Sequence, residues 1–204
     1  MYWQGILVPE SCDGLSLGVV EMAIAFEQLG RRLTPSPLYA SALGVVALRS
    51  LDESARQQAL LKNVAEGQVI ALAHTSARGN WDTIDVQAQK AADGWILTGE
   101  ARFVSCGHGA QTLLVVADNG GQESLFAVDA ATRGVTLSKT PTMDQTRPMA
   151  SLHLASVALD EDAMLSESWG ASRRTTLDIG RIFVGADQVG CAQESLDSSV
   201  AYVS

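Results

Sequence analysis

Val69-Ile70-Ala71-Leu72-Ala73 is a short apolar run at which the period of the sequence changes. Before it, apolar residues recur every three or four positions; after it, as far as about Leu159, apolar stretches of strand length alternate with turn residues. On the C-terminal side, Asp93-Gly94 lies between Val86-Gln87-Ala88 and Trp95-Ile96-Leu97 and predicts a hairpin with a type I′ turn, in which both central residues take positive φ. Asn119-Gly120-Gly121, between Leu113-Leu114-Val115-Val116 and Leu125-Phe126-Ala127-Val128, repeats the device. Further strands are expected at residues 135–137 and 152–159, with Leu152, Leu154 and Val157 facing a core. Six or more strands joined by short turns imply a barrel or sandwich.

On the N-terminal side, Val19, Met22, Phe26 and Leu29 share one helical face, and Gly30 is expected to end that helix. After the turn-rich Thr34-Pro35-Ser36-Pro37, residues 38–48 are almost wholly apolar and read as a buried helix. Ser50 and Glu53 have capping-box spacing, which predicts a third helix over residues 55–64, up to Gly67. Helical spacing returns over residues 177–202, with Ala186, Val189, Leu196 and Val200 on one side. One helix cannot bury its own stripe. The expectation is therefore a truncated chain whose last helix is covered by a subunit contact.

With 204 residues and 47% hydrophobic content, the chain is long enough for one large or two small globular domains. Its net charge is -9, and no basic run exceeds Arg31-Arg32 or Arg173-Arg174, which argues against nucleic-acid binding. Cys12, Cys106 and Cys191 have neither metal-ligand nor redox spacing, and the expectation is reduced thiols in the cytoplasm. Neither an export signal nor a membrane span is read.

Local motifs assign no chemistry. Gly107-His108-Gly109 lacks the spacing of a phosphate loop and reads as a plain loop. His74, His108 and His153 lack partners at metal spacing, so no metal site is expected. The Gly-x-Ser-x-Gly elbow of a hydrolase does not occur. Asp178 and Arg181, three apart, read alone as a helix-surface ion pair.

A collinear set of segments nevertheless resembles the acyl-CoA dehydrogenase family. Gly5-Ile6-Leu7-Val8-Pro9-Glu10 with Gly14-Leu15-Ser16-Leu17-Gly18 is similar to the loop before the family's third helix, and Glu27-Gln28-Leu29-Gly30-Arg31 to the end of that helix. Residues 70–75 resemble the first strand of its middle domain, and Asp93-Gly94-Trp95-Ile96-Leu97-Thr98-Gly99-Glu100 the hairpin beyond. Phe103-Val104-Ser105 falls where the family has Trp-Ile-Thr or Phe-Val-Ser, and Val189-Gly190 lies on the helix that opens its C-terminal domain.

The resemblance implies an α+β fold with N-terminal helices, a central antiparallel β-barrel domain and a C-terminal helix. The corresponding divisions are 1–67 as the remainder of the N-terminal helical domain, 68–165 as the barrel, and 166–204 as the first helix of a truncated C-terminal domain. It implies FAD, held at two strand ends by Leu72, His74 and Thr75 and by Phe103, Val104 and Ser105. Thr75 and Ser105 would supply hydroxyls and Phe103 an apolar wall. It implies an acyl-CoA substrate touched by Asp178 and Arg181, an α,β-desaturation in the intact family, and a homo- or hetero-oligomer.

The departures are specific. Where the family has Thr-Glu-Pro and a Gly-x-Gly-Ser loop, this chain has Thr75-Ser76-Ala77-Arg78-Gly79-Asn80. No residue corresponds to the family's glutamate base, so no catalytic residue is assigned. Two rival expectations stand beside the leading one: a non-catalytic subunit or remnant that uses the barrel as a partner surface, and a β-barrel binding module of similar architecture only.

Overall fold

The computed structural model describes residues 3–203. Three helices lead: α1 (Val19–Arg31), α2 (Leu38–Arg49) and α3 (Ala55–Ala65). Eight strands follow: β1 (Ile70–Ala73), β2 (Gln87–Ala91), β3 (Gly94–Ser105), β4 (Thr112–Asn119), β5 (Gln122–Asp129), β6 (Val135–Thr140), β7 (Met149–Leu159) and β8 (Met164–Ser166). The long helix α4 (Gly170–Val203) is last. No helix among the described residues is long and apolar enough to cross a membrane.

The strands form one sheet in the order β6-β7-β3-β2-β4-β5-β8, with β1 beside β4. This corrects the expected antiparallel barrel on two counts. Strands β1 and β2 both pair with β4 in parallel, and among the described residues no ladder joins the end strands β6 and β8. All four residues of β1 are buried. Such a strand reads as continuously apolar because both of its faces are covered.

The alternation in β4 and β5 divides their side chains between two cores. Leu114, Val116, Leu125 and Ala127 pack with the helices, whereas Leu113, Val115, Phe126 and Val128 pack inside the curve of the sheet with Trp95, Leu152, Leu154 and Val157. Trp95 meets Phe126 edge-on, ring centroids 5.4 Å apart. A barrel-like interior is thus achieved without closure.

The second hairpin is as expected, with Gly120 and Gly121 both at positive φ between paired Asn119 and Gln122. The first differs. Ala91 pairs with Gly94, so the turn falls on Ala92 and Asp93, and only Gly94 has positive φ.

Three helix expectations also need correction. Gly30 does not end α1 but lies inside it, against α4: a Cβ there would overlap the Asp187 carbonyl, as one at Gly190 would overlap that of Glu27. The N-cap of α3 is Ser54, whose Oγ accepts from Gln57 N at 3.1 Å; Ser50 instead follows the last turn of α2, donating to Ala47 O at 2.7 Å. On α4 the buried positions are Thr176, Leu177, Gly180, Phe183 and Gly190, while Val189, Leu196 and Val200 are exposed and Ala186 is partly buried. On this inward face Gly190 admits the Glu27 carbonyl of α1 and Gly180 the side chains of Leu43 and Tyr39, and a glycine adds nothing to an apolar stripe.

Candidate functional site

The ends of β1 and β3 meet. Just after β1, the Thr75 hydroxyl donates to the Arg102 carbonyl, and Arg102 N donates back to Thr75 O at 3.4 Å. Here β3 is irregular. Its register against β7 shifts between Ala101 and Val104, and Phe103 has a φ of 55°. The bulge turns Phe103 outward, 47% exposed, while its neighbours Ala101 and Val104 stay in the sheet core.

The six predicted residues at these strand ends are therefore brought together in space, but not on equal terms. Leu72 and Val104 are packed into the two cores and paired in the sheet with Leu114 and Ala150. Thr75 is buried and already donates its hydroxyl hydrogen, so it can only accept. The Ser105 hydroxyl, close to the Cys106 thiol, lines a small cavity of about 20 Å³ with Phe26, Tyr39 and Arg147. Burial pushes the Cys106 thiol up from its ordinary pKa, which makes a reactive thiolate unfavourable.

His74 presents the unusual feature. Its Nδ1 is completely buried and has no hydrogen-bond partner, and its ring stands edge-on to Trp81 at 5.4 Å. Burial of the ring, with the positive Arg173 adding to it, lowers the His74 pKa from 6.5 to about 4. The sign of the consequence is fixed. Between pH 6.5 and about 4 the unfolded chain takes up a proton that the folded chain refuses, so stability is complete above 6.5 and is lost as the pH falls through this window. The expected loss is on the order of 2–3 kcal/mol. Urea unfolding of wild type and His74→Leu at several pH values checks it: the wild type should lose stability relative to the variant on acidification, and parallel curves would exclude a buried neutral His74.

Residues 76–82 connect this region to α4. Ser76 Oγ accepts from Asn80 N at 3.0 Å and from Arg78 N at 3.3 Å, and Asp85 accepts from Ala77 N at 2.8 Å. Gly79 lies against the Phe103 ring, so close that a Cβ would come within 2.7 Å of it. Trp81 then reaches a cleft of about 460 Å³ along the start of α4. Its charged walls are Arg173, Arg174 and Arg181 opposed by Asp82, Glu123 and Asp178. Arg173 makes a two-pronged pair with Glu123, Nε and Nη2 each 2.7 Å from an oxygen, and donates from Nη1 to Trp81 O at 2.6 Å. A bidentate fork of this kind fixes direction as well as adding energy.

Asp178 and Arg181 form the predicted ion pair, exposed, at this cleft. The Arg181 guanidinium also lies over the Trp81 ring, 5.4 Å from its centroid. The strand-end residues and the Asp178–Arg181 pair are linked through Trp81, which touches both His74 and Arg181. Trp81, Glu123 and Arg173 were not predicted; they come from three distant parts of the chain, and no spacing rule links them. Gly107-His108-Gly109 forms a single 3-10 turn.

No protein-family model matches the chain. Curated relatives do. The chain is 26% identical over 198 residues to the acyl-CoA dehydrogenase IpdE2 of Mycolicibacterium smegmatis, covering 97% of this chain and 49% of that protein. It is 27% identical over 210 residues to the human mitochondrial short-chain specific acyl-CoA dehydrogenase, covering 96% and 51%. It thus spans about half the length of the curated relatives it matches. A solved steroid acyl-CoA dehydrogenase superimposes with a TM-score of 0.83 at 28% identity, over 98% of this chain and 54% of that one. A glutaryl-CoA dehydrogenase solved with glutaryl-CoA gives 0.89 at 20% identity, over 98% and 55%, and so supports the fold.

Proposed function

The chain is acyl-CoA dehydrogenase-like over nearly its whole length, and from that premise we propose that it holds FAD at the meeting ends of β1 and β3 and an acyl-CoA thioester along α4. The observation that carries this reading is the pairing of two sites: an outward-turned aromatic at the joined strand ends, and a charged cleft one short loop away.

The residues present fit a flavin. Phe103 offers an exposed ring face and Thr75 a hydroxyl able to accept, and Ser105 supplies a hydroxyl that would turn from the Cys106 thiol to donate. When bound, FAD supplies the acceptor for a hydride from the thioester's β-carbon. Leu72 and Val104 contribute backbone groups, and neutral His74 stiffens the end of β1 by its contact with Trp81. Asp178 and Arg181 hold the acyl-CoA, Asp178 orienting Arg181 through their ion pair. No base for the α-proton is assigned, because no residue corresponds to the family's glutamate. Little turnover is expected from these residues alone.

We place the domain divisions at 1–67, 68–165 and 166–204 and the protein in the cytoplasm, its three cysteines being free. A second reading, a partner subunit with little chemistry, draws support from the exposed Ile182, Val189 and Leu196 on α4; in either case an oligomer is expected.

The visible absorption spectrum after incubation with FAD and removal of excess tests the flavin. A retained flavin band is expected, and a colourless protein would favour the partner reading. Ser105→Ala should weaken FAD about tenfold, the scale of one well-placed hydrogen bond. Ser76→Ala should have much less effect, since Ser76 serves its own loop. Equal losses would remove the strand-end assignment.

A further inference from the structure

The family resemblance accounts for Asp178 and Arg181 but leaves Trp81 without a role, at a place where this chain departs from the family's glycine-rich loop. Trp81 is 45% exposed. It is nevertheless held from three sides. Its carbonyl accepts from Arg173 Nη1 at 2.6 Å, and Arg173 is itself locked to Glu123. Its ring meets His74 edge-on at 5.4 Å, with an interplanar angle of 89°. Over the ring lies the Arg181 guanidinium, at 5.4 Å.

An exposed arginine paired with one carboxylate three residues away normally samples many rotamers, and such pairs are weak because that freedom is lost on pairing. Laying the planar guanidinium on an indole face adds an attraction that favours one orientation. We propose that Trp81 is the positioning residue for Arg181: the ring, anchored through its own backbone to α4 by Arg173, holds the guanidinium as a fixed donor plane at the wall of the cleft, ready for the acyl-CoA. The inference rests on the acyl-CoA reading of the cleft. It predicts that Trp81 acts on the ligand only through Arg181, and that an aromatic ring, rather than mere bulk, is what matters.

The test is a double-mutant cycle on ligand affinity, with butyryl-CoA as the probe and calorimetry on the FAD-incubated full chain. Trp81→Leu and Arg181→Lys are each expected to weaken binding about fivefold to tenfold. The double variant should be no weaker than the worse single one, and Trp81→Phe should bind within about threefold of wild type. Thermal unfolding of each variant separates a folding defect from a binding one, and the coupling is read on the folded variants. Independent losses that multiply in the double variant, an unchanged affinity in Trp81→Leu, or equal losses in Trp81→Phe and Trp81→Leu would each overturn the proposal while leaving the acyl-CoA reading intact. Failure of wild type to bind butyryl-CoA at all would overturn the acyl-CoA reading, and the positioning role with it.

Discussion

Gly190→Ala should lower the stability of the chain by roughly 3–4 kcal/mol, at the upper end of what overpacking a core costs. The cause is geometric. A Cβ at Gly190 would overlap the Glu27 carbonyl of α1, and one at Gly30 would overlap the Asp187 carbonyl of α4, so each helix passes its backbone through the position where the other's side chain would begin. Backbone cannot swing aside as a flexible side chain does. Relief requires α1 and α4 to separate, which opens the contact between Phe26 and Phe183, whose rings stack 5.1 Å apart. The ion pairs of Arg31 with Glu194 and Asp197, and of Arg32 with Glu194, border the same crossing. Being surface pairs, they are worth too little to resist the separation. Gly185→Ala is the control on the same helix. No atom lies within 4 Å of its added Cβ, and relief of the glycine penalty should stabilise by about 0.5–1 kcal/mol. Urea unfolding midpoints of the two variants should therefore move in opposite directions, and a shift of Gly190→Ala below about 1 kcal/mol would mean that the helices are not in backbone contact.

That crossing also shows what the sequence could and could not convey. Strands β4 and β5 were legible because continuous apolar runs flank a Gly120-Gly121 turn whose positive φ angles favour glycine, so local chemistry and tertiary role coincide. The face of α4 was not, because Gly180 and Gly190 mark the packed side by an absence of atoms and Val189 and Leu196 draw attention to the exposed one. The open, mixed sheet was hidden for another reason: whether β1 lies parallel to β4 depends on residues about forty positions apart, and nothing in Ile70–Ala73 states its partner. At the start of α3, Ser50 and Glu53 satisfied the capping spacing, yet Ser54 and Gln57 satisfy it too; Gln57, buried and donating to Leu48 O at 2.9 Å, fits the second register. The candidate site divides in the same way. Its strand-end residues emerged from collinear resemblance, whereas the Glu123–Arg173 fork and Trp81 exist only once the fold has joined them.

Trp169→Ala should cost about 3–5 kcal/mol, the range for removing a large aromatic from a core. Trp169 is wholly buried among the helical core residues. Its Nε1 donates to Ser50 Oγ at 3.1 Å, the same hydroxyl that donates to Ala47 O after the last turn of α2. Its backbone N donates to Glu123 O at 2.7 Å, and its own carbonyl accepts from Arg173 N at 2.8 Å. One residue thus ties the start of α4 both to the end of α2 and to β5. Because Arg173 lies one turn further along, loosening Trp169 should also loosen the fork to Glu123 and with it the wall of the cleft. Trp169→Phe refills most of the volume but loses the Nε1 donor, and should cost only about 1–2 kcal/mol. Unfolding curves for both variants, with butyryl-CoA binding measured on whatever remains folded, separate the two effects. If Trp169→Phe keeps most of the stability yet binds ligand several-fold less well, the indole N–H sets the register of α4 against the cleft; if its affinity is unchanged, Trp169 acts through volume alone and the cleft is positioned by the Arg173–Glu123 fork.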